Sequence, residues 1–219
     1  MKTAAIILAL LLCLAARALP PKTLDNMLMA ATRIPKTVAG GGSYSDNFNR
    51  ADGALGANWT VPSGATAMAI ASQQVQPGAL GFANNLELWT GSTLTGVISN
   101  ALQVTGSINA NAYYGVVQCD SSGNNGYIYF VNGASGTALY TFTSQTAGSS
   151  LKTDATAVTS GVVLGMVVRA GSIQCYTNGV LDFTYTGAAT TGLLSGFYYT
   201  GSDAINTDTM DNAAGAGGF

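Results

Sequence analysis

The chain has 219 residues, only 8% of them charged, and no histidine, so a Ser-His-Asp or Cys-His nucleophile cannot be assembled from it. Five of its eight basic residues (Lys2, Arg17, Lys22, Arg33 and Lys36) precede residue 37, and from Ser43 onward three basic side chains stand against nine acidic ones. That balance argues against a polyphosphate partner and hence against nucleic acid, while the length suits one domain plus an extension.

Residues 1–18 begin with Lys2, continue as a 13-residue apolar run from Ala4 to Ala16 and end in Ala16-Arg17-Ala18. This is the pattern of a secretory signal, too short for a comfortable membrane span. The alternative is a hydrophobic arm that is retained. Residues 19–43 read as a linker. Within it, 22–36 has Leu24, Met27, Leu28 and Ala31 at helical spacing behind Thr23 as N-cap, and Pro35 as its stop. A short helix that docks on a partner and an unstructured linker both fit this stretch. The hinge Val38-Ala39-Gly40-Gly41-Gly42-Ser43 leads into a domain spanning 44–219.

From there the sequence alternates short apolar runs with Gly, Asn and Ser clusters. Strands are expected over 86–89, 101–105, 113–119, 127–132, 138–143, 162–169, 172–177, 180–186, 193–200 and 207–213. No helical period interrupts them, so the expected fold is all-β, a two-sheet antiparallel sandwich behind an N-terminal hydrophobic or helical extension. The meander over 162–186 is the best defined unit. Ala170-Gly171 and Asn178-Gly179 serve as its two-residue turns, Asn-Gly being the strongest short hairpin signal. That turn predicts the pairs Thr177 with Val180, Cys175 with Asp182 and Ile173 with Thr184. Gln174, Tyr176, Leu181, Phe183 and Tyr185 then form the expected core face, and a one-residue slip would invert the assignment. Cys119 and Cys175 are either a disulfide pair or two buried thiols.

Several segments resemble a known family. The opening Asp46-Asn47-Phe48-Asn49-Arg50-Ala51-Asp52-Gly53, continued by Leu55-Gly56 and Asn58-Trp59, is similar to the start of concanavalin A-like lectin/glucanase jelly rolls of the laminin-G-like branch, as seen in bacterial and phage members. Tyr114-Gly115-Val116-Val117-Gln118-Cys119 with Gly126-Tyr127-Ile128-Tyr129-Phe130 resembles their central hairpin. The segment from Ser172 through Asn178-Gly179 to Val180 resembles their strand, Asn-Gly, strand signature. Met210-Asp211-Asn212 resembles the closing strand, which in that family pairs with the first. The resemblance covers about residues 44–214. It implies a jelly roll with Phe48 and Trp59 in the core, and it permits lectins, glycosidases and structural modules alike.

Function is read from what this frame carries. Glycoside hydrolysis needs two carboxylates. The single glutamate, Glu87 in Asn85-Leu86-Glu87-Leu88-Trp89, has no acidic neighbour nearby and reads as an outward residue of an alternating strand. The chain is therefore not expected to be an enzyme. Sugar binding needs aromatic faces and amides, and Trp89, Tyr114, Tyr127 and Tyr199 with Asn124 and Asn125 are the expected ligand-binding set. The adjacent pairs Tyr113-Tyr114 and Tyr198-Tyr199 must place one ring on each face of a sheet. Ca²⁺ is a possible cofactor at Asp120 and Asn124, although the loop departs from an EF-hand at Asn125 and Val131 and reads more readily as a Gly/Asn hairpin loop. The expected function is a non-catalytic binding or display domain, secreted or at the cell surface, with a glycan or cell-surface polysaccharide as partner. The alternative is a structural or decoration protein at a virion surface whose residues 1–42 dock on a protein scaffold. A membrane partner is expected only if the N-terminal segment stays attached.

Overall fold

The computed structural model describes residues 42–187, 194–202 and 209–217. The signal-like segment over 1–18 and the helix expected over 22–36 lie outside the described residues. The first five strands are short: β1 (Ser43–Asp46), β2 (Gly53–Ala54), β3 (Trp59–Thr60), β4 (Ala69–Ala71) and β5 (Gln74–Gln76). The next six are β6 (Asn85–Trp89), β7 (Ile98–Val104), β8 (Ala112–Cys119), β9 (Asn125–Asn132), β10 (Thr137–Thr143) and β11 (Thr146–Asp154). The last five are β12 (Val163–Arg169), β13 (Ser172–Thr177), β14 (Val180–Thr186), β15 (Leu194–Gly201) and β16 (Met210–Gly217).

They form two antiparallel sheets packed face to face. One runs β14-β13-β12-β7-β16-β5-β4-β2, with β1 also paired to β16, and the other runs β11-β10-β9-β8-β15-β6-β3. The expected sandwich is thus present. So is the expected closure of first strand on last, with Asp46 opposite Ala213. The space between the sheets holds one large apolar cluster, from Tyr44, Phe48 and Trp59 through Leu102, Val116 and Leu139 to Met166 and Ile173. A second cluster, including Leu86, Val117, Ile128 and Phe142, lies on the outward face of the seven-stranded sheet.

The opening run folds around one carboxylate. Asp46 accepts from both terminal nitrogens of Arg50 at 2.7 and 3.0 Å, from the Phe48 amide at 2.9 Å and from the Trp59 indole at 2.8 Å. Arg50 also donates to the Leu55 carbonyl. Phe48 takes a φ of 50° inside this knot and is fully buried. Burial alone would raise the Asp46 pKa. The bonds from Arg50, Trp59 and Phe48 together outweigh it and hold the carboxyl below its ordinary value. Around the knot, Tyr44 stacks on Trp89 at 4.6 Å, and Trp59 meets Trp89 and Phe197 edge-on at 5.3 and 4.7 Å. The polar residues of this run therefore build a corner of the core.

The β13–β14 hairpin departs from the expected register. Asn178 and Gly179 make the turn with φ of 52° and 76°, and Thr177 does pair with Val180. Tyr176 then pairs with Leu181, and Cys175 with Phe183, so Asp182 is an extra residue. This bulge reverses side-chain parity along the hairpin. The core face of β13 is Ile173 and Cys175, not Gln174 and Tyr176. On β14 the expected Phe183 and Tyr185 do pack inward, whereas Leu181 is 48% exposed. Cys175 is buried between the sheets and Cys119 is buried in the outward cluster of the other sheet, and both are free thiols.

Candidate functional site

The expected ligand-binding residues are not brought together. Trp89, Tyr114 and Tyr199 lie in the core between the sheets, the latter two fully buried and 5.2 Å apart. Tyr127 is half-buried against the same core. Asn124 and Asn125 are exposed in the turn from β8 to β9. That turn is organised by Asp120, whose carboxylate accepts from Ser122 Oγ at 2.7 Å, the Asn124 amide at 2.9 Å and Asn125 Nδ2 at 2.8 Å. Slight desolvation opposes them, but these bonds bring its pKa down to about 2. Both carboxylate oxygens are thus engaged by the loop itself. No group of three or more potential metal-ligating His, Cys, Asp or Glu side chains occurs among the described residues.

Glu87 overturns its expected orientation. Every residue of β6 is buried, because the sandwich core covers one face and the outward cluster covers the other. The Glu87 side chain is only 3% exposed and accepts from the Met68 amide at 3.0 Å. Desolvation raises its pKa to about 7, against the lowering effect of the Met68 bond. Alternation places Glu87 on the same side as Trp89, between the sheets. It holds the chain entering β4.

The outward face of the seven-stranded sheet carries a different set of rings. Phe82, Tyr113, Phe130 and Tyr140 form a continuous run, with successive centroids 6.5, 6.2 and 5.2 Å apart. Tyr113 of β8, Phe130 of β9 and Tyr140 of β10 share this face because Tyr114, Tyr129 and Leu139 occupy the inward positions. Tyr113 and Tyr140 are half-buried, and Phe82 is 53% exposed. Beside the run, Phe142 packs edge-on against Tyr198, whose hydroxyl donates to Asn84 Oδ1 at 2.6 Å.

Phe82 is held in place by its own loop. Asn85, buried at the start of β6, accepts from the Gly78 and Ala79 amides at 2.9 and 3.0 Å and donates to the Ala79 and Ala83 carbonyls. Its carboxamide thereby satisfies four backbone groups of a non-repetitive loop. The Phe82 amide donates to the Gly201 carbonyl at 2.9 Å, and Phe82 itself adopts a φ of 61°. An exposed aromatic held in left-handed backbone costs free energy and points to a constrained role. A strap at the other end of the sheet is pinned by Gln145 donating to the Ser63 carbonyl. There Pro62 sits so close to Gly123 that a Cβ would meet it at 2.8 Å. The rings lie at the end opposite this strap.

The site is uncharged. Among the described residues no outward position of β6, β8, β9, β10 or β15 is acidic or basic. Arg50 is committed to Asp46, and Lys152 lies over the Phe183 ring. Such a surface can stack flat apolar faces and exchange hydrogen bonds through neutral groups, and it offers no pair of carboxylates for acid–base work. Sequence parity signalled Tyr113 as the partner of an inward Tyr114. Phe82, isolated in the Gly81-Phe82-Ala83-Asn84 loop, carried the signal of an aromatic with no strand to bury it.

The sequence matches no protein-family model and no curated protein. The fold does match solved structures. A carbohydrate binding module, CBM66 from Bacillus subtilis, superposes with a TM-score of 0.52 at 14% identity, covering 71% of this chain and 91% of that one. The carbohydrate recognition domain of Emp47p gives 0.53 at 10% identity, covering 84% and 99%. Crh5 transglycosylase in complex with NAG gives 0.54 at 11% identity, covering 84% and 86%. At these identities the likeness is one of fold alone: the chain has a two-sheet jelly-roll architecture like that of a carbohydrate binding module, a carbohydrate recognition domain and an enzyme.

Proposed function

We propose that the chain is a non-catalytic glycan-binding domain that reads a neutral polysaccharide along the outward face of its seven-stranded sheet. The observation that carries this reading is the run Phe82, Tyr113, Phe130 and Tyr140, ending in a ring 53% exposed on a constrained loop. Pyranose rings stack their C–H faces on such aromatics, and neighbouring amides and hydroxyls bond their hydroxyl groups. Asn84 and the Tyr113 hydroxyl stand at the run to do so. Phe130 is buried and backs the run, so the rings open to a sugar are Phe82 and the half-buried Tyr113 and Tyr140. The lack of charge on this face favours a neutral chain over an acidic one.

Two solved structures of the same fold, a carbohydrate binding module and a carbohydrate recognition domain, support the ligand class. The transglycosylase shows that the fold also serves catalysis, but this face of the chain offers no carboxylate to act as acid or nucleophile. Export through residues 1–18 belongs to the same proposal. N-terminal sequencing of the mature protein tests it, a start at Leu19 supporting cleavage and an intact Met1 supporting a retained arm. A glycan array with neutral and acidic polysaccharides, run with and without Ca²⁺, tests the binding reading. Retention of a neutral glycan under both conditions supports it, and no retention under either rejects it.

A further inference from the structure

We propose that residues 22–36 dock as a helix on the outward face of the nine-stranded sheet of their own chain. The strand register defines that face. Gly165 of β12 lies opposite Ala101 of β7, which lies opposite Ala214 of β16, and Val167 lies opposite Ser99. Val163 continues the face opposite Gln103, while Leu164, Met166, Leu102 and Ala213 alternate into the core. An antiparallel sheet can leave one face to water, and a valine flanked only by its own strands then keeps its outer methyls wet. Here Ala101 and Ser99 are 1% exposed, Val167 2% and Val163 8%. Ala101 and Val163 form an apolar cluster of their own, apart from the core between the sheets. The outward face of the other sheet is closed by its own large side chains, among them Phe142 and Tyr198. The centre of this one is floored by Gly, Ala and Ser, yet it is as dry as a covered surface.

The chain ahead of β1 is placed to supply the cover. Residues 1–41 lie outside the described residues, and β1 enters at the rim of this face. Ser43 is in line with the row of Ser99 and Val167, and Ser45 with the row of Ala214, Ala101 and Gly165. Val167 is three strands from β1, about 15 Å at the usual strand spacing. Residues 37–42 reach about 20 Å when extended. Leu24, Met27, Leu28 and Ala31 give residues 22–36 one apolar stripe, which a helix must bury against another element. The small floor residues let such a helix come close to the sheet. The charges also match. Arg169 stands on the same face, two residues on from Val167, and its Nε is buried without a partner among the described residues. Asp25 is the one acidic residue ahead of Ser43, and it flanks the apolar stripe. Loss of residues 1–18 would leave this segment attached, so the docking does not depend on whether they are cleaved.

Thiol protection in the full chain tests the docking. A cysteine is placed on the face as Ala101→Cys and, at a second position, as the near-isosteric Ser99→Cys. Its rate of reaction with 4,4′-dithiodipyridine is measured, and peptide mass separates it from the buried Cys119 and Cys175. Each cysteine variant is then combined with Leu28→Asp, which puts a charge in the apolar stripe, or with Asn26→Asp, which puts the same charge on the far side of the helix. The docked helix predicts slow reaction in the cysteine variants alone and no change with Asn26→Asp. With Leu28→Asp the rate should rise about tenfold or more, the scale of one buried leucine lost. The slow rate should persist on dilution of the protein, because the contact lies within one chain. Fast reaction in the cysteine variants alone shows an open face and overturns the proposal. Protection that survives Leu28→Asp gives the cover to another part of the chain, and protection that disappears on dilution gives it to a second copy. Either result also overturns the proposal. The introduced thiols lie on the sheet opposite the Phe82 and Tyr113 rings, so neither outcome depends on glycan binding.

Discussion

The Trp59 indole donates to the Asp46 carboxylate at 2.8 Å and so ties the end of the opening run to its beginning. Asp46 serves Arg50 and Phe48 with the same two oxygens. Asp46→Ala leaves the buried indole N–H without a partner and should cost about 2–3 kcal/mol, mostly through that unmade bond. The half-exposed ion pair with Arg50 contributes less than about 1 kcal/mol of this. Because the Asp46 pKa is lowered, its contribution is present at neutral pH and lost as pH falls through the folded value. Urea unfolding of both proteins at neutral and acid pH checks this, with the difference shrinking in acid.

Glu87 should behave oppositely. Its folded pKa of about 7 lies above the ordinary 4.5. The stability associated with the protonated carboxyl is fully present below the unfolded value and lost as pH rises through about 7. Glu87→Gln keeps an oxygen for the Met68 amide and carries no charge. Relative to wild type the variant should gain on the order of 2 kcal/mol above pH 8, with little difference near pH 4. Denaturation midpoints across pH measure it.

The bulge at Asp182 makes a clean prediction about faces. Ile173 is fully buried and Leu181 is 48% exposed. Ile173→Ala should cost about 2–4 kcal/mol and Leu181→Ala less than about 0.5 kcal/mol. Chemical denaturation of the two variants compares them, and equal costs would restore the unbulged register.

Most of the fold was legible because its punctuation is local. Asn178-Gly179 specifies a tight hairpin by backbone geometry, and the apolar runs either side of it have strand length. The bulge was not legible, since one extra residue at Asp182 leaves no compositional mark yet reverses the parity of β13 against β14. β11 escaped because its Ser, Thr and Gly residues are largely exposed and carry no apolar alternation where it pairs with β10. The ligand set suffered from a different ambiguity. In Tyr113-Tyr114 and Tyr198-Tyr199 the sequence requires one ring on each face and does not say which, and Tyr114 and Tyr199 turned out to face the core. On β6 both faces are covered, so alternation could not tell the solvent side for Glu87 or Trp89.

Asn85 should matter to binding without touching a ligand. Its carboxamide holds the loop that presents Phe82. Asn85→Ala frees four backbone groups and should cost about 2–3 kcal/mol of stability. It should also weaken glycan binding by releasing Phe82 from its fixed position. Thermal unfolding together with calorimetric titration of whichever neutral polysaccharide the array retains separates the two effects.

Whether the outward rings are the glycan site is decided by titrating a neutral oligosaccharide ladder derived from that polysaccharide. Wild type, Phe82→Ala and Tyr113→Ala are compared by calorimetry at low and high salt. Affinity should rise with chain length, stay insensitive to salt, and fall about tenfold (~1.4 kcal/mol) in each variant, the scale of one lost aromatic contact. Binding that is unchanged in both variants, or that vanishes in high salt, would rule this face out as the site.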